Sequence, residues 1–214
     1  MLTPTKKWFI PLGIVTLSLL YISCGSDETK DEPRNETKDI DEVRAMENDE
    51  MVAKGHYLVT SGLCNDCHSP KTFDAAGMHI DTTKALSGSP GNMPLPPIHA
   101  SSLTPGNWIL MTSDVTSFVG PWGVSFAANL TPDSATGLGT WSQEMFMTAI
   151  RKGKHQGLET GRPIMPPMPW EEIRKMKDED LACIFAYLKS LPPVTNKVRD
   201  HIAPPDALKM ASAK

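Results

Sequence analysis

The sequence predicts an all-α fold, a small helical domain with long irregular connections, and three observations predict it. Two segments repeat apolar residues at helical spacing: Phe146, Ala149 and Ile150, then Leu181, Ile184, Phe185 and Leu188. Nineteen prolines and fifteen glycines imply much irregular backbone. No stretch carries a strand signal, so no sheet is expected. At 214 residues the chain has room for one core and some additional sequence.

The N-terminus comes first in order. Lys6 and Lys7 precede an apolar stretch from Trp8 to Ile22, which is short for a membrane-spanning helix and is soon followed by acids. It reads as an export signal. Cys24 follows Leu20-Tyr-Ile-Ser23, close to the end of a bacterial lipoprotein signal, although the Leu stands one place further from the Cys than in that pattern. The expectation is a signal peptide at 1–23 and a lipid anchor at Cys24 on the periplasmic side of a bacterial membrane. A soluble periplasmic protein and an uncleaved anchor helix are the alternatives.

Residues 24–44 form an acidic flexible tether with no apolar periodicity. Residues 27–50 hold eleven acids against four bases, whereas from Met51 onward fifteen Lys and Arg face fourteen Asp and Glu. That near-neutral body has no basic run able to hold a phosphate backbone, so no nucleic-acid partner is expected. The folded domain is placed at 45–194 and a C-terminal tail at 195–214, which either wraps the domain or hangs free.

Within the domain, a helix begins near Asn48 or Asp49 and runs toward Gly62. Residues 69–123, with Ser87-Gly-Ser-Pro-Gly-Asn-Met93 near their centre, read as one long loop region. The next helix spans Gln143 to Lys152, capped by Ser142 and stopped by Gly153. Its basic end, Arg151, Lys152 and Lys154 with Arg162, is either a solvated helix end or a docking patch for an acidic partner. The last helix has Asp178 as its cap, Glu179 and Asp180 in the first turn and Pro192-Pro193 after its end. Cys183 sits inside the apolar pattern and reads as a buried small hydrophobe.

Cys64-Asn-Asp-Cys67-His68 carries the chemistry. Two cysteines three apart can capture the two vinyl groups of a haem as thioethers, and the following histidine can ligate the iron. Zinc would need a second pair of ligands at similar spacing, and Cys24 and Cys183 are single and distant. A thioredoxin-like dithiol would need a β-α-β setting that this chain does not show; a plain Cys64–Cys67 disulfide is the other alternative, and export favours haem, whose attachment chemistry belongs to the same side of the membrane.

A haem used for electron transfer generally has both axial positions filled. In Arg162-Pro-Ile-Met165-Pro-Pro-Met168-Pro-Trp170 the prolines stiffen an extended segment that can present a thioether. Met168 is the candidate sixth ligand, with Met165, the other histidines or an open site as alternatives.

The chain resembles a class I cytochrome c, and more narrowly the cytochrome c subunits that accompany membrane-bound alcohol and sugar-acid dehydrogenases. The resemblance rests on Gly55-His-Tyr-Leu58 before the haem motif, Asn129-Leu-Thr-Pro-Asp133 with Thr136-Gly-Leu-Gly139 and Trp141-Ser142, the Met165 to Trp170 segment, and Asp178 through Pro193. It implies a cytochrome c fold in which the first and last helices cross, with close approach at Gly55 or a neighbour and Tyr187 at the crossing. It also implies Met168 as axial ligand and Trp141 near the haem edge or a propionate, ordinary core packing being the alternative for Trp141. The chain departs from the family in its long 69–123 insertion and in carrying one haem motif where many members carry three.

The expected function is electron transfer by one covalently attached haem c, held by Cys64, Cys67, His68 and Met168, with no catalytic residues. Expected partners are redox proteins: a dehydrogenase, a quinol-oxidising complex or a terminal oxidase. The alternatives are a haem enzyme or gas sensor with an open sixth site, and a dedicated relay subunit of a dehydrogenase or oxidase.

Overall fold

The computed structural model describes residues 48–212, so the export signal, Cys24, the tether at 24–44 and the first three residues of the expected domain lie outside the described residues. In chain order the elements are α1 (Asn48–Ser61), α2 (Cys64–His68), β1 (Lys71–Asp74), β2 (Gly77–Ile80), β3 (Leu110–Met111), β4 (Ser117–Gly120), β5 (Gly123–Phe126), α3 (Gln143–Lys152), α4 (Trp170–Ile173), α5 (Asp178–Ser190) and α6 (Pro204–Ser212). Short 3-10 turns lie at Thr82–Lys84, Ala100–Leu103 and His155–Gly157. No described helix is long and apolar enough to cross a membrane.

Local signals place the long helices. Ser142 Oγ accepts the Met145 N–H at 3.1 Å and starts α3, and Gly153 ends it in the left-handed region at φ 63°. Asp178 does not cap α5. Lys177 stands at the cap without a side-chain bond, and Asp178 is the first helical residue, its carboxylate paired with Arg151. The expected apolar face is buried: Leu181, Ile184, Phe185 and Leu188 join Val59, Leu86, Leu138, Phe146 and Ile150 in the principal core. Each such side chain contributes about 1.5–3 kcal/mol by leaving water. Cys183 is fully buried.

α1 crosses α5 at Gly55, where a Cβ would lie 1.9 Å from the Cys183 carbonyl oxygen and 2.7 Å from Tyr187 Cβ. Only a residue without a side chain allows that backbone approach. Beside the crossing, His56 packs on Tyr187 with ring centroids 5.0 Å apart, and Lys54 bridges Glu179 and Asp180. Although burial pulls the Lys54 ammonium down, the two carboxylates hold it well above its ordinary value.

The all-α expectation is overturned by two antiparallel sheets, one of β1-β2 and one in the order β3-β4-β5. The segment read as one long loop contains β1 to β4 and leads into β5. Its strands carry weak local signals because they are at most four residues long, and β4 and β5 bury Ser117, Gly120, Gly123 and Ser125 instead of alternating apolar and polar residues. Tertiary contacts fix them. Ile202 pairs with Val124 in both directions, at 2.9 and 3.0 Å, and a second small core joins Ile98, Val124 and Ala207.

The C-terminal segment therefore wraps the domain. Asn196 Nδ2 donates to the carbonyls of Ser87 at 2.7 Å and Ser89 at 2.9 Å, and Arg199 donates to those of Gly91 and Met93. α6 then covers the sheet, with Ala207 fully buried.

Candidate haem site

The five residues of the motif form α2, which puts Cys64 and Cys67 three apart on one helical turn and His68 at its end. Leu63 enters the turn in the left-handed region at φ 57°, an exposed side chain just before Cys64. The turn is locked from behind. Ser69, fully buried, donates from Oγ to Asn65 Oδ1 at 2.9 Å and accepts the Leu86 N–H at 2.9 Å, while Gly88 N–H donates to the His68 carbonyl at 2.7 Å. Gly88, at φ 80°, leaves room for that approach: a Cβ would lie 2.5 Å from the Ala127 carbonyl oxygen.

His68 is 8% exposed, and its Nδ1 lies 2.8 Å from the Ala128 carbonyl oxygen. A carbonyl only accepts, so Nδ1 carries the proton, and in the neutral ring Nε2 keeps its lone pair. Burial pushes the imidazole below its ordinary value, opposed by the Ala128 hydrogen bond, and favours the neutral form that a metal requires. Cys64 and Cys67 form no disulfide, and burial raises both thiols. Cys64 also packs against the principal core. Among the described residues no three His, Cys, Asp or Glu side chains gather into a metal-binding group.

Met168 lies between the antiparallel bridge Lys154–Pro163 and α4, half-buried like Met165. The segment is hung from the sheet: Ser125 Oγ donates to the Pro166 carbonyl at 2.6 Å and accepts from Trp122 Nε1 at 3.1 Å. Ser125 on β5 and Ala128 just beyond it therefore tether the Met168 segment and His68. The other histidines have different settings. His56 is exposed against Tyr187, His79 pairs with Asp74, His99 is exposed, and His201 Nε2 donates to the Trp122 carbonyl at 2.7 Å.

Trp141 packs on the principal core and meets His155 edge-on, with ring centroids 6.2 Å apart. Burial, then the Arg162 charge, holds His155 below its ordinary value, with Asp200 opposing. Of the basic cluster, Arg151 is engaged with Asp178 and the carbonyls of Arg174 and Met176, and Lys152 with Glu159. Sequence reasoning missed Trp122, Ser125 and Ala128. Nothing in a serine or an alanine announces such a role, and Trp122 lay inside the stretch read as loop.

Known proteins similar to this chain point in the same direction. The chain is 38% identical to one of the subunits of the nicotinate dehydrogenase of Pseudomonas putida over 146 residues, 67% of this chain and 9% of that protein. It is 27% identical over 160 residues to the gluconate 2-dehydrogenase cytochrome c subunit of Pantoea cypripedii, 73% of this chain and 27% of the relative. The chain is a relative of the cytochrome c subunits of dehydrogenases. A third, the cytochrome c subunit of the quinone alcohol dehydrogenase of Gluconobacter oxydans, is 32% identical over 149 residues, 68% of this chain and 25% of the relative. The chain thus spans about a quarter or less of the length of these relatives. No family model matches it. Two of these relatives are named cytochrome c subunits, and the buried, oriented His68 imidazole directly after Cys64 and Cys67, which form no disulfide, fits a haem.

Proposed function

We propose that this chain is an electron carrier in which Cys64 and Cys67 hold one haem c as thioethers, His68 Nε2 and Met168 Sδ are its axial ligands, and a dehydrogenase assembly is its redox partner. The observation that carries the reading is the His68 imidazole: buried, kept neutral, and turned by Ala128 so that Nε2 is the free nitrogen, directly after Cys67. When bound, haem c supplies a one-electron couple between iron(III) and iron(II). The protein's part is to orient and shield. The Ala128 carbonyl fixes the tautomer and raises ligand basicity, the helical core keeps water from one side of α2, and a thioether at the sixth position favours the ferrous form.

The relatives' names support a relay role within a dehydrogenase. The reading extends to a lipid anchor at Cys24 and a place on the periplasmic side of a bacterial membrane, which rests on the N-terminal sequence.

Optical spectra test it. The reduced protein is expected to refuse carbon monoxide, and the oxidised protein to show the weak near-infrared sulfur-to-iron band. Met168→Ala loses the band and binds carbon monoxide, while Met165→Ala keeps both wild-type properties. Rapid carbon monoxide binding by the wild type overturns the carrier reading in favour of a haem enzyme or gas sensor with an open site.

A further inference from the structure

The segment that carries Met168 has few ways of holding its place. Pro163, Pro166, Pro167 and Pro169 have no N–H, so the backbone of 163–169 offers donors only at Ile164, Met165 and Met168. Ile164 spends its donor on Gly153 at 2.8 Å, and Met168 spends its own within the segment, on the Met165 carbonyl at 3.3 Å. For residues 165–169, the long-range hydrogen bond seen among the described residues is the one from Ser125 to Pro166.

That bond is built to one polarity. The Trp122 N–H can only donate and the Pro166 carbonyl can only accept, so the Ser125 hydroxyl must receive from the first and give to the second. Ser125 is 7% exposed, which shields the pair from competing water. Trp122 is itself fixed: a Cβ on Gly120 would lie 2.4 Å from its ring, and its carbonyl accepts from His201. Three residues on, Ala128 holds His68, at most about 11 Å of extended chain away.

We propose that Ser125, oriented by Trp122, is a positioning residue that latches the Met168 segment, so that one stretch of chain, β5 with its exit at Ala128, sets both axial ligands. The inference rests on Met168 being the sixth ligand. Because the two anchors lie three residues apart on one stretch of chain, they move together, and the His68 and Met168 positions stay matched when the domain flexes. Loss of the latch leaves the ligand present but held by one fewer constraint, which raises the population with the thioether off the iron.

The test uses the holoprotein and four variants, Ser125→Ala, Ser125→Thr, Trp122→Phe and Met168→Ala. Its readouts are the carbon monoxide binding rate of the reduced form, the near-infrared band, the midpoint potential and far-ultraviolet circular dichroism. Ser125→Ala is expected to bind carbon monoxide about three- to tenfold faster than wild type, the yield of one lost hydrogen bond. Its band weakens and its potential falls at unchanged helical signal. Trp122→Phe shifts the same readouts less, and Ser125→Thr, which keeps the hydroxyl, returns them toward wild type. Wild-type rate, band and potential in both Ser125→Ala and Trp122→Phe, with the band lost in Met168→Ala, overturn the latch and leave the ligand standing. A band that survives Met168→Ala overturns both. Should Ser125→Ala fail to fold, Trp122→Phe decides on the same readouts.

Discussion

The helical part of the domain and the sheet lobe are held together by different means. Around α1, α3 and α5, apolar faces meet in one core and charged residues pair across elements, as Lys54 does with Glu179 and Asp180 and Arg151 with Asp178. From Ala85 to Pro132 the one charged residue is Asp114, which is buried and accepts from Thr116 Oγ1 at 2.7 Å. That lobe is held by small polar groups acting over long sequence separations: Ser89 to Ser117, Asn196 to Ser87 and Ser89, and Asn129 to the carbonyl of Val194. Helix packing thus supplies the framework of the molecule, and the lobe adds the anchors of both proposed axial ligands.

Substitutions in the two parts should have different consequences. The largest effect is expected from Leu181→Ala, fully buried in the principal core, at about 4 kcal/mol of global stability in denaturant unfolding. Gly55→Ala follows at about 3 kcal/mol, because its methyl group has to push the Cys183 carbonyl away. Both should lower the stability of the whole domain together. Asn196→Ala, which leaves the Ser87 and Ser89 carbonyls without that donor, should cost about 2 kcal/mol and act locally. Hydrogen exchange should quicken around residues 86–91 while α5 stays protected. Equal loss of protection in α5 would show that the lobe and the helices form one cooperative unit.

A smaller effect comes from His155. Because its folded-state value is depressed, the unfolded chain takes up protons first as the medium acidifies. The stability tied to neutral His155 is complete above the ordinary value of 6.5 and is lost as pH falls below it. His155→Gln should therefore show a shallower decline of unfolding free energy with acid than wild type. The smallest effect is expected from Phe73→Ser with Met78→Ser, cross-strand partners exposed on the β1-β2 hairpin, which should change stability by under about 0.5 kcal/mol.

Legibility follows the same division. Helix signals are local, so the Gln143–Lys152 span, its Ser142 cap, its Gly153 stop and the buried face of α5 could be read from spacing alone. The Cys64–His68 segment stands out for the same reason: five consecutive residues carry the chemistry on which the proposed function rests. The strands were not, because Ser117-Phe-Val-Gly120 and Gly123-Val-Ser-Phe126 have no periodic pattern and gain their register from Ile202 and α6, some eighty residues on. Asp178 misled for a tertiary reason, since its carboxylate is paired with Arg151 from another helix. Ala128 contributes a backbone carbonyl, which no side-chain signature can reveal.

The proposed function requires that Cys64 and Cys67 each bind the porphyrin covalently. Intact mass of the purified mature protein after acid-acetone treatment tests it directly. The expected mass is the polypeptide plus one haem, with the added mass absent from a Cys64→Ala, Cys67→Ala double variant. Bare polypeptide mass, with the colour extracted into the solvent, would contradict it.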